Sequence, residues 1–123
     1  MVMKKMKKQL LVVDDEEDIL TSLNAFYKQN DVDIKTVTNG KDCIKFIEQG
    51  FKGIVLIDIM MPKMDGWQTI KELVKRGLNN QVKIKIISGK GTKDHSIIAE
   101  LAPYIDDYIG KPFTHKTLLK IIE

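Results

Sequence analysis

At 123 residues the chain has room for one folded domain, and its 43% apolar composition is enough to build a core without disulfide or metal staples. Twenty Lys and Arg residues oppose 17 Asp and Glu for a net charge of +3, but Lys4, Lys5, Lys7 and Lys8 all precede the first apolar run and Arg76 is the only arginine, which argues against a nucleic-acid interface. No apolar run approaches the ~20 residues that span a bilayer, and residues 1–8 lack the apolar stretch of a secretory leader, so a soluble, cytoplasmic protein without membrane contact is expected. The single cysteine, Cys43, shares an apolar stripe with Phe46 and Ile47 and reads as a packing residue in a reducing compartment.

In chain order, Leu10 to Val13 is a short branched run that stops at Asp14 and Asp15 and predicts a buried strand. From Glu16 onward, Ile19, Leu20, Leu23, Phe26 and Tyr27 fall on one face of a helix, with Glu16, Glu17 and Asp18 at its positive end. The pattern then repeats as strand Ile34 to Thr38, helix Lys41 to Glu48, strand Ile54 to Asp58, helix Trp67 to Arg76, strand Val82 to Ser88 and a helix near Lys93 to Leu101. A strand at Tyr108 to Ile109 and a helix from Thr114 to Ile122 close the series. Strands alternating with helices predict right-handed βαβ units, hence an α/β fold with a five-stranded parallel sheet and helices on both faces. Residues 1–8 are expected to be a basic N-terminal segment and residues 9–123 the folded domain.

Open parallel sheets bind ligands beyond the carboxyl ends of their strands. Those ends carry Asp14 and Asp15, Asp58, Ser88 and Lys111. Three carboxylates within about 4 Å of one another would repel by roughly 4 kcal/mol per pair at an effective dielectric near 20, so the cluster calls for a cation. Oxygen donors without His or Cys suit Mg²⁺, with Mn²⁺ as a substitute, rather than zinc. With a metal present, an Asp58 oxygen can attack an electrophilic phosphorus while Lys111 and Ser88 hold the transferred oxygens. His95 and His115 each stand alone near a helix start and read as solvated side chains, and Trp67 reads as packing.

Four segments together resemble the receiver domains of two-component response regulators of the chemotaxis-regulator type. They are Val13-Asp14-Asp15-Glu16, Asp58 to Gly66 (Asp-Ile-Met-Met-Pro-Lys-Met-Asp-Gly), Ile87-Ser88-Gly89, and Asp107-Tyr108-Ile109-Gly110-Lys111-Pro112-Phe113. The resemblance implies a flavodoxin-like doubly wound (βα)5 fold with strand order 2-1-3-4-5. It also implies a switch that accepts a phosphoryl group on Asp58 from a histidine kinase or histidine phosphotransfer protein, then autodephosphorylates rather than acting as a turnover enzyme. Asp15 and Asp58, with the Met60 backbone carbonyl, are implied as direct Mg²⁺ ligands, and Asp14 as a ligand through water. Ser88 and Lys111 are the implied phosphoryl contacts, Gly89 leaves space beside them, and Ser88 with Tyr108 couples the site to a partner-binding face of the fourth helix, fifth strand and fifth helix. A cis Lys111-Pro112 bond is implied as well, aiming the Lys111 side chain. In Met64-Asp65-Gly66, Gly66 is expected to supply an unusual backbone angle and Asp65 to cap the next helix.

Some positions depart from the family pattern. Met60 and Lys90, each two residues beyond a site residue, leave the phosphoryl lifetime open, and Ala102-Pro103-Tyr104-Ile105 predicts an early end to the fourth helix. The last helix stops at Glu123, compatible with a stand-alone protein or a domain from a longer chain. Three other functions fit less well. A constitutive binding module would lack the acidic pair or the lysine. A phosphohydrolase needs a general acid where Met60 stands, and a flavin or nucleotide binder needs a phosphate loop where Asp14-Asp15-Glu16-Glu17 would repel it.

Overall fold

The computed structural model describes residues 7–89 and 95–123, so Lys4, Lys5, Lys90 and Lys93 lie outside the described residues, as does the His95 side chain. Strands β1 (Lys8–Val13), β2 (Val32–Val37), β3 (Gly53–Asp58), β4 (Val82–Ser88) and β5 (Ile105–Gly110) alternate with helices α1 (Glu17–Gln29), α2 (Gly40–Glu48), α3 (Gly66–Lys75), α4 (His95–Leu101) and α5 (His115–Ile121). All strand pairs are parallel, in the order β2-β1-β3-β4-β5. This is the flavodoxin-like doubly wound architecture with the expected strand order.

The period of two along each strand divides the core. Leu11, Val13, Val55, Ile57, Ile84 and Ile86 pack with Cys43, Ile47, Trp67, Ile70 and Leu101 from α2, α3 and α4. Leu10, Val12, Ile54, Leu56 and Ile87 pack on the other face with Leu20, Leu23, Tyr27, Leu118 and Ile121 from α1 and α5. With both faces covered, Leu10 to Val13 of β1 and Ile54 to Ile57 of β3 are unbroken apolar runs, and each is followed at its carboxyl end by an aspartate, Asp14 or Asp58. Cys43 is fully buried, and burial pushes its thiol up to about 12, as a packing residue requires.

The outer elements differ from the sequence expectation. Strand β5 is longer than Tyr108 to Ile109 because it is an edge strand whose residues alternate in exposure, so Asp106 and Asp107 can belong to it. Its pairing with β4 shifts register between Ile84 and Lys85, where Asp106 is the extra residue. Lys85, on the α5 side of β4, is buried beneath that helix, and its Nζ donates to the Ile121 carbonyl at 2.6 Å. Helix α4 does end early, at Leu101, followed by a 3-10 turn from Ala102 to Tyr104.

Candidate functional site

Asp14 follows the last residue of β1 and keeps the extended course, its N–H donating to the Val37 carbonyl at 3.2 Å. Successive side chains in extended backbone point to opposite sides. Asp14 therefore turns into the molecule and is fully buried, Asp15 turns out and is exposed, and Glu16, in extended backbone ahead of α1, comes back toward Asp14. Asp14 Oδ1 accepts from the Glu16 N–H at 3.0 Å, whereas Oδ2 is buried with no hydrogen-bond partner.

Asp58 ends β3 and is buried. Its Oδ1 accepts from the Met60 N–H at 3.0 Å and its Oδ2 from Lys111 Nζ at 3.3 Å, so both oxygens have fixed directions. The loop beyond it is pinned by Ile59 N–H to the Ile87 carbonyl and Gly66 N–H to the Ile59 carbonyl, each at 3.1 Å. Asp65 caps α3 through a reciprocal capping box with Gln68, as its sequence position predicted. The expectation for Gly66 is corrected: it does not lie in the left-handed region, and Lys63 is the loop residue with positive φ, at 65°. Glycine is needed at 66 for close approach, since a Cβ there would stand 2.5 Å from the Asp58 carbonyl oxygen and 2.8 Å from Ile59 Cα.

Lys111 follows β5, and its N–H donates to the Ser88 carbonyl at 3.1 Å; the Lys111-Pro112 bond is cis. Its Nζ lies 3.3 Å from Asp58, 3.5 Å from Asp14 Oδ2 and 3.6 Å from Glu16. Burial alone would lower the ammonium pKa, but Asp14, Asp58 and Glu16 together outweigh it and hold the group above its usual range. Burial above all, with Asp58 nearby, raises the Asp14 carboxyl to about 6 against the opposing Glu16 N–H and Lys111.

Pairing of Asp58 with Ile87 and of Ser88 with Gly110 puts Ser88 on the same rim, half-buried. Gly89 follows, and a Cβ there would meet no described atom within 4 Å. The sheet thus brings Asp14, Asp58, Ser88, Gly89 and Lys111 to one edge, as expected. Asp15 is not in the carboxylate cluster; the third member is Glu16, which sequence reasoning had assigned only to the helix end. The i, i+2 spacing of Asp14 and Glu16 past a strand was the signal that could have found it. The Met60 side chain is 62% exposed, leaving only its backbone turned toward Asp58. His115 is exposed, its ring 5.2 Å from that of Phe26 and outside this cluster, while Trp67 is core.

Residues 10–123 match the family model described as the response regulator receiver domain. The chain belongs to that family. It is 32% identical over 110 residues to the response regulator SaeR of Staphylococcus aureus, a match covering 89% of this chain and 46% of that protein. The chain therefore spans about half the length of the curated relatives it matches. Among solved structures, the CheY-like response regulator receiver domain protein of Methanospirillum hungatei superposes with a TM-score of 0.88 at 32% identity, over 95% of this chain and 92% of that one. The N-terminal domain of a response regulator receiver protein from Methanoculleus marisnigri gives 0.75 at 30% identity, over 94% and 93%.

Receiver domains of response regulators are phosphorylation-dependent signalling switches that histidine kinases phosphorylate and that bind Mg²⁺ at an acidic pocket. The donor set in this receiver domain fits such an ion. Asp14, Glu16 and Asp58 each present a carboxylate oxygen, all within 4.8 Å of one another, and Asp14 Oδ2 is a buried oxygen with no hydrogen bond. No described helix is long and apolar enough to cross a membrane. On β5, Tyr108 is 45% exposed, with Tyr104 and Leu119 exposed nearby in sequence and on α5. Tyr108 borders a cleft of about 340 Å³ with Asp107, Gly110, Lys116 and Lys120, and partial burial raises its phenol above the usual range.

Proposed function

We propose that Asp58 is the phosphoacceptor, taking its phosphoryl group from the phosphohistidine of a histidine kinase or histidine phosphotransfer protein. The observation that carries this is the state of the Asp58 carboxylate: buried, with Oδ1 fixed by the Met60 N–H and Oδ2 by Lys111, beside Asp14 Oδ2, which accepts no hydrogen bond and lies 3.5 Å from Lys111 Nζ. An Asp58 oxygen attacks phosphorus, the P–N bond breaks, and the imidazole leaves with the electron pair and takes up a proton. Water later attacks the same phosphorus, the P–O bond to Asp58 breaks, the Asp58 carboxylate is regenerated, and inorganic phosphate leaves with the water oxygen while the water proton passes to solvent or phosphate.

Asp58, Asp15 and the Met60 carbonyl are the proposed Mg²⁺ ligands, with Asp14 acting through water; Asp15 faces outward here and would turn toward Asp58 on binding, in place of Glu16, which completes the carboxylate cluster in this structure. A bound divalent ion supplies positive charge that offsets repulsion between the carboxylates and the incoming phosphoryl group. Lys111 holds Asp58 before transfer and one phosphoryl oxygen after it, while the Ser88 hydroxyl donates to another. Gly89 leaves room beside them, and Pro112 fixes the backbone that follows Lys111. Ser88 sits at the end of β4 and Tyr108 on the neighbouring β5, so a shift of Ser88 reaches the α4, β5 and α5 face, where we place an output protein. To turn a 1:99 population into 99:1, these contacts must favour the active state by about 5.5 kcal/mol. The functional unit is residues 9–123, acting in the cytoplasm.

The test is incubation of the chain with acetyl phosphate, with and without Mg²⁺, followed by intact-mass spectrometry. One Mg²⁺-dependent phosphoryl adduct that decays after donor removal is expected. No adduct on the folded chain would instead leave a constitutive binding module.

A further inference from the structure

Outside the phosphoryl site, a concavity of about 950 Å³, half-open to solvent, lies between α2 and α3. Its floor is apolar, made by Ile44 of α2 with Pro62 and Met64 of the loop beyond Asp58. The floor is set firmly: α2 starts so close to that loop that a Cβ on Gly40 would meet Met64 Sδ at 3.1 Å and Thr69 Oγ1 at 2.1 Å.

The charges around the floor are unevenly satisfied. At the far end Arg76 holds Glu48 at 3.0 Å and Glu72 at 2.8 Å, while in the first turn of α2, beside Lys41, Asp42 accepts from Asn39 at 2.9 Å. The lip carries Lys41 and Lys63 near the phosphoryl-site rim and Lys45 in the last turn of α2, and among the described residues none of the three has an ion-pair partner. Lys41 and Lys45 are four apart on α2 and so share one face. Among the described residues the lining carries four basic side chains (Lys41, Lys45, Lys63, Arg76) against three carboxylates (Asp42, Glu48, Glu72), and the unpaired charges over the apolar floor are three lysines against Asp42, so the surface offered is net positive.

We infer that the α2–α3 groove, with its Ile44, Pro62 and Met64 floor and its Lys41, Lys45 and Lys63 lip, docks an acidic amphipathic helix of a partner protein. The nine residues of α2 give a trough of about 13 Å, long enough for two to three turns of a helix. Apolar residues three and four apart on that helix fill the floor, and Asp or Glu flanking them meet the lysines. The groove shares its Pro62 to Met64 wall with the loop that fixes Asp58 through Met60. A bound helix therefore touches the phosphoryl site without occupying it, and on a different face from α4, β5 and α5.

The probe is a synthetic 16-residue amphipathic peptide with leucines three and four apart and glutamates beside them, titrated into the isotope-labelled chain while amide spectra are recorded. Expected are shifts confined to α2, α3 and residues 60–66. Binding should weaken at least tenfold in a Lys41→Glu, Lys45→Glu, Lys63→Glu variant that keeps its fold, and weaken as salt rises through about 0.5 M. A companion peptide with lysines in place of the glutamates should not bind. Binding on Asp58→Asn should be unchanged, which keeps this result separable from the phosphoacceptor assignment. The inference is overturned by the absence of shifts at α2 and α3, by equal binding of the two peptides, by self-association of the chain through these lysines, or by anionic phosphatidylglycerol vesicles binding the lysines while the peptide does not.

Discussion

Replacing Lys111 by methionine keeps most of the side-chain volume and removes one positive charge from among three carboxylates. At the observed 3.3, 3.5 and 3.6 Å, each contact corresponds to about 5 kcal/mol of attraction at an effective dielectric near 20, largely cancelled by the cost of drawing the charges out of water. Breaking a buried pair costs about 3–5 kcal/mol, and because Lys111 is 22% and Glu16 60% exposed, the low end, about 3 kcal/mol, is expected in Mg²⁺-free buffer at neutral pH. If the loss comes from uncompensated carboxylates, the variant should bind Mg²⁺ more tightly than the wild type does, and each tenfold gain in affinity returns about 1.4 kcal/mol of the loss at saturating Mg²⁺. Urea denaturation followed by circular dichroism, with chelator and with excess Mg²⁺, measures both. The control is Lys71→Met, whose 3.6 Å pair with Glu100 is solvent-exposed and should contribute less than about 1 kcal/mol. An equal loss with and without Mg²⁺, or a loss no larger than the control's, would refute the electrostatic reasoning.

Gly66→Ala should destabilise by about 1–3 kcal/mol and slow phosphoryl acceptance, because its Cβ cannot fit 2.5 Å from the Asp58 carbonyl oxygen; urea denaturation showing wild-type stability would contradict this. Asp15→Asn should weaken Mg²⁺ binding about tenfold or more in a calorimetric titration and Glu16→Gln much less, the reverse order assigning the direct carboxylate to Glu16. Cys43 should react with a thiol reagent only as fast as the chain unfolds, since it is fully buried. The folded thiol keeps its proton up to about 12 and the unfolded one loses it above 9.0, so folding holds the extra proton and stability falls as pH rises through that window. The slope is about 1.4 kcal/mol per pH unit, to which Tyr27, raised in the same direction by burial, adds; a thermal melting point constant across this range would contradict it.

The sheet was legible in the sequence where burial dictates residue type. Leu10 to Val13 and Ile54 to Ile57 lie between two helical layers, so composition alone marks them as strands and Asp14 and Asp58 as the residues at their ends. Legibility fails at the edge, where Asp106 and Asp107 sit in β5 because one side of that strand meets water. It fails again at Lys85, whose charge argues for the surface until α5 supplies the Ile121 carbonyl, a contact 36 residues distant in sequence. In the site, strand ends placed Asp58, Ser88 and Lys111 correctly, because register alone determines their positions. They could not decide between Asp15 and Glu16, since the choice depends on how far the extended backbone continues before α1 begins. Gly66 was recognised as necessary for the wrong reason: sequence marks a turn, but only the packed loop reveals that the approach to Asp58, rather than a backbone angle, excludes a side chain.

The most direct measurement on the central claim is chemical trapping of the acyl phosphate. The chain is phosphorylated with acetyl phosphate and Mg²⁺, reduced with borohydride, digested and mapped by mass spectrometry. Homoserine at position 58, absent from samples prepared without donor or Mg²⁺ and from Asp58→Asn, is the predicted result. Modification at another carboxylate, or an unmodified Asp58 peptide from folded protein, would contradict Asp58 as the phosphoacceptor.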